Sequence, residues 1–478
     1  MSQFKLSSQV DINKVFLIKR HDLDARLDVE YYQPKHFELL TRLSASRYPL
    51  KTLKEISKQI VDGPFGSSVK ANDYVENGIP FLRVADITHG DGTIELDGLI
   101  YISPKKHQEV SRSTVFPNDI VIAKTGATMG AASIVPETIK EANIRGDLAA
   151  VIVNDPVFAN YIVNFINTKI GQDLFWRLNS GATRGRVVIS NLRKYPLVIP
   201  DMETMVEINQ FVDTAKIRKN QKEQQAQALL TGIDAYLLAE LGITLPQQDN
   251  TLESRIFTTT FKEVSGARLD AYFYKTEYQV LIDLIQNGKY YRLKDIVSFS
   301  SETWNQQDHF VNTFPYIEIS EIDLFTGEII NISEIAIVEA PSRAKMIIRL
   351  GDIILSTTRP TRRAIAFNQL QGIQIASTGF AVIREIKTIV ITKEFLFHVL
   401  RLSTSLRQMG QRSSGGNYPA ITQEELGNIL IPYVDLNYQE KIVIRINEIY
   451  SQAKQLQSEA AQILADAKAE VERMILGG

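Results

Sequence analysis

Two long stretches of this chain repeat apolar residues at alternating steps of three and four, the spacing of a coiled coil. The plainer one runs over 436–475 and the other over 202–241, and they align without a gap so that Ile208 falls on Ile446. At about 1.5 Å per residue, each helix would be about 55–60 Å long. A helix of this length needs a partner for its apolar stripe, and each copy is the obvious partner of the other. The pattern predicts a rod of two helices with these interface residues: Ile208, Phe211, Ala215, Leu229, Ile233, Ile442, Ile446, Ile449, Ala453, Leu456, Ala460, Ile463 and Ala467.

The segments that precede these helices also occur twice. Arg26-Leu27-Asp28 returns at 268–270, and an acidic turn with its apolar strand at 118–123 returns at 351–356. We call the part of the chain before each long helix a head. The sequence therefore predicts an α+β fold: two similar α/β heads separated by two long antiparallel α-helices, with a pseudo-two-fold internal repeat. The expected divisions are a first head at 1–200, a first rod helix at 201–242, a linker at 243–254, a second head at 255–432 and a second rod helix at 433–478.

Short apolar runs bounded by turn residues predict the strands within each head. A buried strand that contains a proline is expected at 80–84 and again at 315–319, and a shorter strand at 14–16. Apolar residues at helical spacing predict one helix near 158–170 and its counterpart near 395–406.

Composition narrows the class of protein. The net charge of −2 and the pI of about 6.4 argue against a generally basic nucleic-acid coat, although they leave room for local basic loops. The absence of cysteine excludes disulfides and thiolate metal sites and suits a reducing cytoplasm. Neither a signal peptide nor a membrane span is expected. No phosphate-binding Gly-x-x-x-x-Gly-Lys-Ser/Thr motif, no amino-methyltransferase Asn/Asp-Pro-Pro-Tyr/Phe motif and no zinc-spaced histidine pair is present, which favours a binding subunit over an enzyme.

Duplicated heads on a rod suggest how such a chain could act. Paired DNA-binding modules contact half-sites about 34–36 Å apart. In this sequence the rods match while the heads diverge, with Arg83 where the second head has Glu318. Divergent heads on a shared rod would read two different half-sites at a fixed spacing.

A set of short motifs follows in order along the first head: Asp62-Gly63-Pro64-Phe65-Gly66-Ser67, Gly78-Ile79-Pro80-Phe81-Leu82-Arg83, Asp119-Ile120-Val121, Lys124-Thr125-Gly126-Ala127, and the Ser180-Gly181 loop that leads to Ile199-Pro200. With these motifs and the repeat, the chain resembles the specificity (S) subunit of type I restriction–modification enzymes. The second head departs from the first at 298–305 and at 357–359.

The resemblance implies a non-catalytic, cytoplasmic subunit that binds double-stranded DNA. Each head would be a target recognition domain, and the rod would set the unread spacer and dock two methyltransferase (M) subunits. Restriction (R) subunits, which are ATP-dependent translocases and nucleases, would join the complex. The chain itself would bind no cofactor, since S-adenosylmethionine, ATP and Mg²⁺ would belong to the partner subunits.

Basic and polar residues near glycine turns are the candidate DNA contacts, because arginine suits guanine, Asn suits adenine, and Lys and Thr suit phosphates. Three arginines within 359–363 form the densest basic group, and two glycine loops, 180–186 and 413–418, occupy matching positions. The repeated Arg26/Asp28 and Arg268/Asp270 are interpreted as structural pairs or as part of the M-subunit dock. The candidate contacts are Arg83, Lys124, Thr125, Thr183, Arg184, Arg186, Arg359, Arg362, Arg363, Asn417 and Tyr418.

Two alternatives stay open. The first is the specificity subunit of a fused methyltransferase–nuclease (type IIB-like) system, which only the neighbouring genes would separate from type I. The second is a coiled-coil scaffold whose duplicated heads bind protein, for which binding would be insensitive to salt rather than strongly salt-dependent.

Overall fold

The computed structural model describes residues 10–476, apart from 12–13, 24–25, 65–67, 88–89, 181–184, 246–250, 253–255, 265–267 and 307. The chain forms two compact units. The first unit comprises residues 1–222 with 458–478, and the second comprises residues 223–457. Each unit therefore contains one head, the start of one long helix and the end of the other.

In the part of the first head that the structure describes, there are three sheets and six α-helices. The helices are α1 Pro34–Ser44, α2 Leu53–Ile56, α3 Pro104–Glu109, α4 Pro156–Ile166, α5 Lys169–Arg177 and α6 Ile189–Leu192. The strands are β1 Leu50–Thr52, β2 Gln59–Asp62, β3 Tyr74–Val75, β4 Ile79–Leu82, β5 Tyr101–Ile102, β6 Thr114–Val115, β7 Ile120–Ala123, β8 Ala132–Ile134, β9 Ala142–Ile144, β10 Leu148–Ile152 and β11 Pro196–Val198. The sheet orders are β1-β11, β2-β10-β7-β8 and β3-β5-β4-β9-β6.

The long helix α7 Met202–Glu240 follows, and then the second head. The helices of the second head are α8 Phe261–Val264, α9 Thr276–Gln286, α10 Leu293–Ile296, α11 Lys393–Leu400, α12 Ser403–Arg412 and α13 Gln423–Gly427. Its strands are β12 Tyr290–Arg292, β13 Val297–Phe299, β14 Thr313–Ile317, β15 Ser333–Ala336, β16 Ala344–Ile348, β17 Ile353–Ser356, β18 Ile365–Phe367, β19 Gln374–Ser377, β20 Phe380–Ile386 and β21 Leu430–Pro432. The chain continues into the second long helix, α14 Leu436–Leu476.

The two heads share one topology. The order β2-β10-β7-β8 of the first head returns as β13-β20-β17-β18, and β1-β11 returns as β12-β21. Both heads also contain one parallel pair, β4 with β9 and β14 with β19, at equivalent places in the third sheet. The copies differ at the edge of that sheet, which carries β5 and β3 in the first head and β15 in the second. The predicted α+β class and internal repeat are confirmed.

The central strand of each head is buried on both faces. Ile120 and Ile122 of β7 pack in the core formed with α4 and α5, whereas Val121 and Ala123 pack in the core shared with the neighbouring sheet. Successive side chains of a strand point to opposite faces, so one apolar run supplies two cores. The core therefore holds the ends of this strand rigidly, and the loops that follow the strand start from fixed positions.

The helix predicted as continuous over 158–170 is wrong, because the structure divides it into α4 and α5. The Thr168 hydroxyl donates to the carbonyl of Phe165 (2.8 Å) and accepts from the amide of Gly171 (3.0 Å), which ends one helix and caps the next. The counterpart divides likewise into α11 and α12. The strand expected at 14–16 is also wrong, since Lys14 lies in a turn, Val15 in a bend and Phe16 in neither strand nor helix.

Inside each unit the two long helices pack against each other and against the head. In the first unit, Ile208 and Val212 near the start of α7 share a core with Val471 and Ile475 near the end of α14. In the second unit, Leu237 near the end of α7 shares a core with residues near the start of α14. The helices are therefore antiparallel.

The burial of the predicted rod residues follows the heptad closely. Phe211 is the exception at 43% exposed, and Val212 beside it is buried instead. Lys222, at a seam position in the middle of α7, pairs with Glu459 at 2.7 Å. The buried members of the predicted set are Ile208, Ala215, Ile442, Ile446, Ile449, Ala453, Ala460 and Ala467, and the half-buried ones are Leu229, Ile233, Leu456 and Ile463.

His398 of α11 makes the second unit sensitive to acid. Its ring lies in the core, 6.0 Å from the ring of Tyr450 on α14, and burial lowers its pKa to about 3. In the unfolded chain this histidine, with a pKa near 6.5, becomes protonated as the pH falls, whereas in the folded unit it stays neutral. The free energy of unfolding therefore falls as the pH drops below about 6.5. We expect the second unit to lose about 2 kcal/mol of unfolding free energy between pH 7 and pH 5.

Hydrogen exchange of the β17 and β20 amides as a function of pH measures this loss. His398→Gln removes the titrating group and should flatten the pH dependence, whereas His309→Gln, at an exposed position in the same unit, should leave it unchanged. Equal pH slopes in the wild type and His398→Gln would contradict the assignment.

Candidate nucleic-acid interface

A cleft of about 1150 Å³ opens in the first head, where β2, β7 and the loops after β9 and α5 meet. Arginine guanidinium groups suit phosphate and guanine oxygens, which makes this cleft the best candidate for a DNA backbone or base edge. Its charged lining comprises the basic residues Arg112, Lys124, Arg145, Arg186 and Arg193 and the acidic residues Asp62, Glu109 and Asp147. Of the basic residues, Arg112, Arg145, Arg186 and Arg193 are exposed.

Lys124 lies at the floor of the cleft and is only 3% exposed. Its ammonium group forms an ion pair with Asp62, which links the ends of β7 and β2. Its backbone amide donates to the carbonyl of Asp147 (2.8 Å), and its carbonyl accepts from the amide of Val187 (2.8 Å). Lys124 thus holds the floor of the cleft together, and any contact of its own with DNA stays a prediction.

The two loops singled out in the first head lie side by side. Thr125 and Arg186 form an antiparallel bridge, and the amide of Gly126 donates to the carbonyl of Gly185 (3.1 Å). Thr125 is half-buried and Arg186 is exposed at the rim of the cleft.

Thr183 and Arg184, between these fixed points, lie outside the described residues. Residues 65–67 of the Asp62–Ser67 motif also lie outside them, while Asp62 and Pro64 line the cleft.

Arg83 occupies a different place, just after β4. Its guanidinium group pairs with Asp86 at 2.8 Å and donates to the carbonyl of Gly98 at 3.1 Å. The hydrogen bond to Asp86 raises the pKa of Arg83 above its ordinary value. DNA contact by this residue stays a prediction, and two of its donors already have partners in the head.

The second head brings its two candidate loops together in the same way. Thr358 forms a bridge with Ala420, as Thr125 does with Arg186. The guanidinium carbon of Arg359 lies 4.2 Å from the centre of the Tyr418 ring, and Arg359 donates to the carbonyl of Asn417 (3.0 Å). Tyr418 is 70% exposed, so the arginine and the ring form one projecting surface.

The three arginines of 359–363 separate in space. Arg359 and Arg363 both have left-handed backbones, with φ of 48° and 66°, on either side of a short 3₁₀ turn. Arg359 faces Tyr418, Arg362 is exposed, and Arg363 pairs at 3.2 Å with Asp234 of α7. Non-glycine residues in this conformation store backbone strain, which native structures retain mainly at functional positions.

The buried Arg401 holds this segment from below. It is 4% exposed. Its guanidinium group donates to four carbonyls: those of Arg363 (3.3 Å), Ile365 (2.8 Å), Leu324 (3.1 Å) and Phe325 (2.7 Å). Burial lowers its pKa to about 10, which leaves it charged at neutral pH. The shape of the 359–363 segment therefore depends on a cation in the core.

Sequence reasoning missed Arg112, Arg145 and Arg193 in the first head and Arg401 in the second. None of them has another arginine within five residues, and the cleft arises from segments up to 134 residues apart, from Gln59 to Arg193. One signal was available: an exposed arginine follows serine shortly before a strand in both copies, at Arg112 and Arg343.

Within the described residues, no group of three or more His, Cys, Asp or Glu side chains is placed to hold a metal ion. No helix in the described ranges is long and apolar enough to cross a membrane.

Residues 286–464 match the family described as the type I restriction modification DNA specificity domain. No curated protein matches the chain. One solved structure with a similar chain concerns complex assembly and conformational transition of the type I R-M system; it is 14% identical, covers 90% of this chain and 97% of its own, and has a TM-score of 0.44.

Two further solved structures are similar at the same level. The S subunit of a type I restriction-modification system from M. genitalium is 13% identical, with coverage of 90% and 96% and a TM-score of 0.37. The HsdS subunit from Thermoanaerobacter tengcongensis is 14% identical, with coverage of 90% and 97% and a TM-score of 0.35.

The family match lies in one copy of the internal repeat. The match covers most of the second head and most of α14, and the first head has the same order in two of its sheets. The matched domain is of type I, so the fused type IIB-like system and the protein-binding scaffold are not favoured. The second head, together with most of α14, therefore matches the type I restriction modification DNA specificity domain.

Proposed function

We propose that this subunit reads a bipartite DNA target, with each head recognising one half. The observation that carries the proposal is the matched pair of loops. Each head joins them by the same kind of bridge at the same place in the fold, but one presents Thr125 and Arg186 and the other Arg359 and Tyr418. Equal scaffolds with unequal side chains are suited to two different half-sites, because base edges are distinguished by side-chain donors and acceptors.

We also propose that the rod sets the unread spacer and docks two methyltransferase subunits. The helices contain 39 and 41 residues, which at about 1.5 Å per residue gives lengths of about 60 Å. Exposed apolar side chains at Phe211, Ile217 and Ile444 support a protein partner along these helices. Restriction subunits would join the same complex in the cytoplasm.

Catalysis is assigned to those partners. The methyltransferase subunits would supply S-adenosylmethionine, and the restriction subunits ATP and Mg²⁺. The part played by this chain is to bind DNA and to place the partner active sites relative to the target.

Single-molecule methylome sequencing of a host that expresses this chain with its methyltransferase subunit tests the proposal. We expect one methylated motif made of two short, different sequences separated by a spacer of constant length. A continuous motif, or methylation without sequence preference, would refute the bipartite reading.

A four-residue insertion in α7 near Lys222 tests the rod as a spacer. One extra turn adds at most about 6 Å, which is one to two base pairs at about 3.4 Å per step. We expect the methylome to show both half-sites unchanged and the spacer altered. The matched control places the same four residues in the linker between Ile243 and Leu252, where the spacer should not change; an altered half-site in the α7 variant would contradict the idea.

A further inference from the structure

Arg26 forms a clip in the first head. Its guanidinium group binds both carboxylate oxygens of Asp28, at 2.8 and 2.5 Å. The same group donates to the carbonyls of Leu178, at 3.0 Å, and Asn179. The Arg26 side chain is 13% exposed, and its guanidinium lies 4.6 Å from the centre of the Tyr31 ring. One side chain thus joins the N-terminal segment to the end of α5.

The second head repeats the clip with its own residues. Arg268 binds Asp270 at 2.7 Å and donates to the carbonyls of Arg412 (2.6 Å) and Ser413 (3.0 Å). A tyrosine hydroxyl donates to the carbonyl of the clip arginine in both copies, from Tyr32 in the first and Tyr274 in the second. The whole arrangement is retained in two heads whose candidate contact residues differ.

The residue between Arg and Asp takes no part in the clip. Leu27 is 82% exposed and Leu269 is 84% exposed. The contacts of each clip are therefore made by its arginine and aspartate and not by the leucine between them.

The carbonyls that each clip binds stand where a helix ends and the glycine loop begins. The last carbonyls of a helix have no intrahelical donor and carry partial negative charge, so a guanidinium fork locked by a carboxylate suits them. In the first head, Asn179 and Ser180 in turn bind Arg186 across the loop, at 2.8 Å each. In the second head, Ser414 and Ala420 exchange two 2.8 Å backbone bonds. Both ends of each loop are thus tied to the clipped helix end.

We propose that Arg26 and Arg268 are positioning residues for DNA recognition, each fixing how the glycine loop of its own head leaves the helix. The inference rests on the proposed function and adds that each arginine acts on one half-site alone. Side chains that read bases must be held within about 0.5 Å of the productive geometry. A loop released at its helix end cannot meet that requirement, although the core of the head is intact.

The test uses the full chain with its methyltransferase subunit and compares Arg26→Gln with Arg268→Gln. We expect discrimination against single-base changes to fall about tenfold in one half-site for the first variant and in the opposite half-site for the second. The spacer should not change. Arg26→Lys keeps the charge but cannot span two carbonyls and a carboxylate, so it should resemble Arg26→Gln. Leu27→Ala, in the same segment, should leave both half-sites unchanged.

Hydrogen exchange of the free chain gives a readout that does not depend on methylation. In Arg26→Gln, the amides of Ser180 and Arg186 should exchange faster, while those of β7 in the core should keep their protection. The proposal is overturned if the variant loses protection throughout the first head. It is also overturned if the loop amides and the β7 amides both keep their protection.

The two proposals fail in different ways. If the wild type methylates no bipartite motif, the proposed function fails and exchange at the loop alone decides whether the clip positions it. If the wild type methylates such a motif but both glutamine variants relax both half-sites, or neither, the clip proposal is refuted and the function stands.

Discussion

Arg401→Ala is expected to destabilise the second unit by about 3 kcal/mol, because four carbonyls lose a charged donor in a site that is nearly closed to water. One of these carbonyls, that of Arg363, ends the 359–363 segment, a second belongs to Ile365 at the start of β18, and the other two belong to Leu324 and Phe325. The substitution should therefore abolish recognition of one half-site before the unit unfolds completely.

Hydrogen exchange of β17 and β18 measures this loss for the second unit alone, because a chain of two units need not unfold in one step. Arg343→Ala, at an exposed position in the same unit, serves as the matched control and should change stability by less than about 0.5 kcal/mol. Similar protection factors in the Arg401 variant and the wild type would show that water replaces the guanidinium without cost.

Arg359→Ala is expected to relax one half-site by about 10- to 100-fold, the range for one arginine–base contact. Arg359 is the arginine of its segment that lies against an exposed aromatic ring. Arg363→Ala should leave base preference unchanged, since this arginine faces Asp234 of α7, and should cost about 1 kcal/mol of stability.

The two variants are matched in backbone strain, because both positions have a positive φ. Asp234→Ala should cost more stability than Arg363→Ala, since Asp234 also accepts from the amide of Ser403 at the start of α12. The assignment is wrong if methylome sequencing shows that Arg363→Ala, and not Arg359→Ala, broadens the motif.

The rod was the most predictable part of the molecule. The helices observed at 202–240 and 436–476 differ by one residue at one end from the heptad patterns at 202–241 and 436–475. A heptad is a local signal that depends only on residues three or four positions apart. Gap-free alignment of the two copies then identified the partner of each helix without information from the heads.

The candidate interface was predictable only in part. Sequence reasoning identified the loops at Thr125, Arg186, Arg359 and Tyr418 separately, because each follows a recognisable strand or helix, but their pairing within each head came from the structure. The burial of Lys124 was not predictable, since its partner Asp62 is 62 residues away and the pair depends on the order of β2, β10 and β7. The arginines of the cleft were missed for the same reason, as sheet order is set by tertiary packing and not by local pattern.

The order in which the two units can finish folding follows from how the core of the first head is completed. Val471 and Ile475, each 1% exposed, belong to the core that contains the first head and the start of α7. Residues 223–457 form the second unit without them. On the ribosome the second unit thus has all its residues before the first can seal its core, although the first head is translated earlier. A chain interrupted near residue 457 would carry a finished second unit and an open first one, so nascent-chain quality control would act on its N-terminal half.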